Sequence, residues 1–211
     1  MLIIAHRGYW VSEDERNTEI AFRRALSNGY GIETDVRDFC GHIVISHDMP
    51  RREHMTLERF LDLYSEYSIK GKLALNIKSD GLSGAVSNIL RKYKNINCFV
   101  FDMSVPDAMS YLREGIPTYM RRSEFEFESM LDARAQGLWV DALEVPYVNV
   151  SAIQASLVAG LPIVIVSPEL HNQPHQSAWD EWRQLLSSMP ERNNEIMLCT
   201  DFPEQAEAFF N

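Results

Sequence analysis

Ala5-His6-Arg7-Gly8, Ile32-Glu33-Thr34-Asp35-Val36-Arg37 and Ser46-His47-Asp48 decide how this chain is read. Each lies where an apolar run stops. Leu2 to Ala5 reads as a buried strand with His6 at its C-terminal end. Side chains alternate along a strand, so Glu33 and Asp35 share one face, and Ile32, Thr34 and Val36 take the other. Two carboxylates that close repel unless positive charge sits between them. A hard divalent cation takes such oxygen ligands; an arginine partner, Arg37 or Arg7, is the alternative. Polar groups gathered at the C-terminal ends of strands are what a β/α barrel offers.

Outward from this stretch, strand and helix patterns alternate to the end of the chain. Leu2–Ala5, Gly31–Arg37, Lys72–Lys78, Cys98–Phe101, Pro117–Met120, Leu138–Leu143, Pro162–Val166 and Ile196–Cys199 read as eight strands. His42–Ser46 reads as an extra extended piece joined through Cys40-Gly41. Helices are expected from Asn17 or Thr18 to Asn28, after Thr56, over Leu82–Tyr93, from Pro106 to Gly115, up to Gln136 with Gly137 closing, from Ser151 to Gly160, over Trp179–Ser188, and after Pro203. Eight such units predict a single-domain (β/α)8 TIM barrel over residues 1–211, with a doubly wound open sheet as the alternative. No linker, repeat or low-complexity segment interrupts it.

Composition narrows the partners. The 211 residues are 45% apolar and 24% charged, and the net charge is −10. That balance argues against nucleic acid or an anionic membrane, so an anionic substrate needs local positive charge. The three cysteines, Cys40, Cys98 and Cys199, lack metal-ligand spacing and read as buried thiols of a reducing compartment. No apolar run approaches the roughly 18 residues of a membrane span, and His6 comes too early for a signal peptide. A cytoplasmic protein is expected.

His6-Arg7-Gly8, then Asn17-Thr18 with Ala21-Phe22 and Ala25, Gly29, Glu33-x-Asp35 and His47-Asp48 resemble, in order and spacing, the glycerophosphodiester phosphodiesterase family. Leu75-Asn76-Ile77-Lys78 resembles that family's third motif, where a glutamate usually stands at the position of Asn76. Thr200-Asp201-Phe202-Pro203 resembles its last strand. The dense similarity covers residues 2–48; the rest matches in layout.

The resemblance implies a phosphoric diester hydrolase on a β/α barrel. His6 and His47 become the acid–base pair, in either assignment; histidine titrates near neutral pH and can do either task. Arg7 and Lys78 become contacts to the phosphate, Arg7 through its planar fork. Glu33, Asp35 and Asn76 become ligands of Mg²⁺ or Ca²⁺, Asn76 through a neutral amide oxygen. The substrate is a small-molecule or polymer phosphodiester. Two rivals follow: a barrel that binds phosphodiesters without turnover, and a lyase that stops at a cyclic phosphate. Two more departures stand out. Glu15-Arg16 replaces the usual Pro-Glu, and only Met49–Met55, with Arg51, Arg52 and His54, replaces the usual insertion after His-Asp. An open site with a basic edge is expected. Asp102, Arg121, Asp141, Glu144, Glu169 and His171 lie where later strands end and are candidates for positioning substrate, or ordinary loop residues. His42, His54 and His175 read as surface or loop residues, and Trp139, Trp179 and Trp182 as core.

Overall fold

The computed structural model describes residues 1–51, 54–69, 71–126, 128–144, 153, 154, 157 and 160–211. The expected cap Ser151, and Arg52, lie outside them. Two compact units are present: Ala5–Thr118, and Met1–Ile4 with Tyr119–Asn211.

The unit Ala5–Thr118 contains the end of β1 (Leu2–His6), then α1 (Glu19–Ser27), β2 (Gly31–Phe39), β3 (His42–Ile45), α2 (Leu57–Ser65), β4 (Leu73–Ile77), α3 (Ser83–Leu90), β5 (Cys98–Phe101) and α4 (Val105–Glu114). Its strand order is β5-β4-β2-β1, with β3 beside β2. β2, β4 and β5 are parallel. β4 is buried at every residue, as expected of a parallel strand covered on both faces. α2 buries Leu57, Phe60, Leu61 and Tyr64, the spacing read from sequence. The Thr56 hydroxyl caps it, accepting from the Arg59 amide at 3.2 Å.

The extra extended piece is an antiparallel hairpin strand, with Phe39 opposite His42 and Val36 opposite Ile45. Its two-residue turn, Cys40-Gly41, has φ of +48° and +82°, the geometry a tight hairpin favours. That turn exposes Cys40, against the expectation of a buried thiol; Cys98 and Cys199 are buried.

The other unit carries β6 (Tyr119–Arg122), β7 (Gly137–Val140), β8 (Ile163–Val166), α5 (Gln176–Ser188), β9 (Ile196–Thr200) and α6 (Pro203–Phe210). Its strand order is β1-β9-β8-β7-β6, parallel from β6 to β9. Trp139, Trp179 and Trp182 are buried, and the Trp179 indole donates to the Ser167 hydroxyl at 2.8 Å. One expected element differs. Between β6 and β7 the only helical turn among the described residues is a 3-10 turn, Asp132–Arg134. Side chains capture the backbone there: Asp132 accepts from the Ser129 amide at 3.0 Å and Ser129 from the Leu131 amide at 3.2 Å. Such local bonds compete with a helix ladder. Gly137 begins β7 instead of closing a helix. A Cβ there would lie 2.4 Å from the Tyr119 ring.

Alternating strands and helices with this parallel order give the fold class, an α/β (β/α)8 barrel. Among the described residues no helix is long and apolar enough to cross a membrane.

Candidate active site

The residues quoted first converge within the unit Ala5–Thr118. β1 ends at His6, and Arg7 adopts a left-handed backbone, φ +55°. Gly8 follows at φ +84°, and a Cβ on it would meet Ala21 of α1 at 2.9 Å. Only glycine fits this turn against that helix. The turn aims the Arg7 amide at Glu33 Oε2 (3.2 Å) and brings His6 Nε2 to 3.9 Å from the same oxygen.

Glu33 and Asp35 leave the same face of β2, and both are 1% exposed. β4 lies parallel beside them, with Ala74 opposite Glu33 and Asn76 opposite Asp35. The small Ala74 leaves room at the level of Glu33. Arg7 Nε forms an ion pair with Asp35 Oδ2 at 3.2 Å. Lys78 Nζ lies 3.5 Å from Asp35 Oδ1 and 3.4 Å from Asp102 Oδ2. Burial, and then the neighbouring Asp35 charge, push the Glu33 carboxyl up to about 7.

A cation fits this oxygen set. Asp35 Oδ1 and Asn76 Oδ1 are both buried, and neither receives a hydrogen bond. An unsatisfied buried oxygen is costly, and two of them on facing residues beside a second carboxylate suit a hard cation. Among the described residues no group of three or more His, Cys, Asp or Glu has metal-holding geometry; the set here is two carboxylates and an amide.

His47 follows β3. Its Nδ1 lies 2.8 Å from Asp48 Oδ1, and its carbonyl accepts from Arg37 Nε at 2.9 Å. The imidazole beside Asp48 holds that carboxyl below its ordinary value. The His47 side chain is 45% exposed. With Arg7 it lines a cavity of about 800 Å³ whose wall also includes Arg16, Asn17, Arg51 and His54. His6, Arg7, Glu33, Asp35, Asn76 and Lys78 thus form one contiguous cluster, and His47 joins Arg7 at the cavity beside it.

Asn17 has a role that its sequence motif did not reveal. At φ +60°, its amide nitrogen donates to the Arg7 carbonyl at 3.0 Å and its side chain donates to Asp35 Oδ2 at 2.8 Å. Its carbonyl oxygen accepts from the Thr34 hydroxyl at 2.7 Å. It positions the Asp35 carboxylate instead of capping α1. The signal available in sequence was its residue type: asparagine is one of the few residues that tolerate a left-handed backbone.

The polar residues at the later strand ends have partners of their own. Glu169 accepts from Ser167, Thr200 and the Asp201 amide, bracing the loop after β8. His171 Nε2 lies 2.7 Å from Asp141 Oδ1. Arg121 pairs with Glu126, and Glu144 is exposed.

No protein-family model matches the sequence, and a search of curated proteins finds no match. Solved structures match nearly end to end. A glycerophosphodiester phosphodiesterase from Parabacteroides distasonis is 17% identical, with 99% of this chain and 96% of that one covered and a TM-score of 0.69. A phosphodiesterase from Oleispira antarctica, in complex with the product sn-glycerol-3-phosphate, is 16% identical over the same shares, at 0.68. A Ca²⁺-dependent phosphatidylinositol-specific phospholipase C from Streptomyces antibioticus is 8% identical over 100% and 96%, at 0.60. The chain therefore has the fold of the glycerophosphodiester phosphodiesterases, reached at very low sequence identity.

Proposed function

We propose that this protein hydrolyses a phosphodiester of the glycerophosphodiester type, with a divalent cation, Mg²⁺ or Ca²⁺, held by Glu33, Asp35 and Asn76. One observation carries the reading: Asp35 and Asn76 face each other with unsatisfied buried oxygens, beside Glu33 and under Arg7 and Lys78. The likeness to phosphodiesterase structures supports it at the level of fold. The single-domain reading of residues 1–211, inside the cell, belongs to the same proposal.

The chemistry divides among named groups. Arg7 and Lys78 bind the non-bridging phosphate oxygens and orient the diester. A hydroxyl of the substrate beside the phosphate attacks phosphorus. One histidine of the His6/His47 pair takes its proton, and the other delivers a proton to the departing alkoxide. The phosphorus–oxygen bond to the leaving alcohol breaks as the ring closes. Water then opens the cyclic phosphate with the two histidines in exchanged roles. With Nδ1–H of His47 donating to the Asp48 carboxylate, Nε2 is the nitrogen that takes up or gives the transferred proton. The cation, when bound, supplies positive charge against the negative charge that develops on the phosphate. The cavity beside His47 takes the leaving alcohol.

Phosphorus NMR of purified protein with glycerophosphodiesters and added Mg²⁺ or Ca²⁺ tests this. Loss of the diester resonance and growth of glycerol phosphate is expected. Accumulation of a cyclic phosphate alone would make the protein a lyase. Saturable binding without turnover would make it the non-hydrolytic barrel that Asn76 would favour.

A further inference from the structure

The cavity beside His47 carries more positive charge than one phosphate uses. Arg7 reaches it while paired with Asp35 at 3.2 Å. Arg16, Arg51 and His54 line it as well. Arg16 is the best fixed of these three. Its guanidinium carbon stands 4.3 Å from the centroid of the Trp10 ring, a cation–π contact. The Trp10 indole in turn donates to the His6 carbonyl at 3.1 Å. The next residue, Asn17, donates its amide to the Arg7 carbonyl at 3.0 Å. Arg16 is thus tied on both sides to the turn that carries His6 and Arg7. Its charge is weakly committed. The Arg16 side chain is 28% exposed and its Nε is buried without a hydrogen bond. Its ion-pair partner is Glu13, 3.4 Å away and 82% exposed. A pair so open to water contributes little, so a bound anion can displace it. The other carboxylates of the cavity wall, Asp14 and Asp48, are exposed too, and Asp48 is taken by His47 at 2.8 Å.

Resting on the phosphodiesterase reading, we propose that Arg16 is the specificity-determining residue of the leaving-group pocket. It receives a second oxyanion, carboxylate or phosphate, carried by the alcohol that departs. The substrate class is then a phosphodiester with an anionic arm, whose scissile phosphate meets Arg7 and Lys78. The planar guanidinium fork matches the paired oxygens of either oxyanion. Stacking on Trp10 removes side-chain freedom that binding would otherwise have to freeze. Arg51 and His54 add positive charge to the same cavity without comparable anchoring.

Calorimetric titration of the full chain in Mg²⁺ buffer tests this without reference to turnover. The probes are propyl phosphate, terminal alkanediol bisphosphates of three to six carbons, and carboxyalkyl phosphates of the same lengths. One phosphate occupies Arg7 and Lys78, and the second anion reaches Arg16. The best doubly anionic probe should bind about tenfold tighter than propyl phosphate, and the series that gains more identifies the anion. Arg16→Gln should abolish the preference and leave propyl phosphate affinity unchanged. Arg16→Lys, a point charge without the fork, should keep part of it, and thermal unfolding verifies that both variants fold. No preference at any length, or the same preference in Arg16→Gln, would overturn the proposal. Equal weakening of all probes in Arg16→Gln would also overturn it and leave Arg16 as a support for Trp10. Absence of propyl phosphate binding by the natural chain would overturn the phosphodiesterase reading itself, and this proposal with it.

Discussion

Asp35 and Asn76 stand opposite each other on parallel neighbouring strands, each with a buried side-chain oxygen that receives no hydrogen bond among the described residues, and the Lys78 ammonium, 3.5 Å away, pairs with that of Asp35. Two such oxygens would strain the folded protein unless a cation completes them. Chelation should therefore abolish activity, and Mg²⁺ or Ca²⁺ should restore it. Asn76→Glu should tighten calorimetric metal binding by adding an anionic ligand. Full activity of the chelated protein would require Glu33 and Asp35 to be reread as orienting groups for Arg7 and Lys78. Unchanged affinity in Asn76→Glu would mean that the new carboxylate pairs with Lys78.

His6→Ala and His47→Ala should each lower kcat by roughly 10²–10⁴-fold, the usual worth of a positioned acid or base. Circular dichroism should show both folded, because His6 is only partly buried and His47 is half exposed. Near-normal turnover in either variant on a verified substrate would end the paired mechanism.

Asn17→Ala removes two side-chain hydrogen bonds around Asp35 and forces alanine into a left-handed backbone. The lost bonds alone should cost about 1–3 kcal/mol, with roughly 1–2 kcal/mol more from the backbone. Asn17→Gly should lose only the first part. Denaturant midpoints of the two variants measure the difference, and equal midpoints would refute it.

Arg51 lines the cavity that His47 and Arg7 share. With little chain between His47 and Thr56 to enclose a small headgroup, bulkier phosphodiesters should be better substrates. Arg51→Ala should raise KM for a diester bearing a second anionic group and leave a neutral one unaffected. High efficiency on glycerophosphocholine, the same with and without Arg51, would contradict this.

The hydrogen bond from Asp141 raises the His171 imidazole above its ordinary value, against the opposing effect of burial, and the Asp141 and Glu124 charges add to the rise. A raised histidine contributes stability that is complete below its unfolded value, about 6.5, and is lost as pH climbs through the higher folded value. Asp141→Asn should flatten the fall in stability above about pH 6.5. It should also return the His171 NMR titration to the ordinary range. An unmoved titration would show that the pair is not what sets it.

The sequence by itself determined the alternation of strands and helices, the buried tryptophans and the hairpin strand after β2, because apolar period and turn residues are local signals. It also placed Glu33 and Asp35 on one face, since alternation along a strand leaves no other arrangement. The run before Gly137 misled: its apolar spacing suited a helix, but Ser129 and Asp132 take the backbone amides that a helix would use. Only the tertiary structure decided that Asp35 faces Asn76, that Lys78 lies between Asp35 and Asp102, and that Asn17 serves Asp35 and not α1. These are relations between segments far apart in the chain. Register between two strands is set by how their buried faces pack together, and a slip of one residue would turn every side chain to the other face.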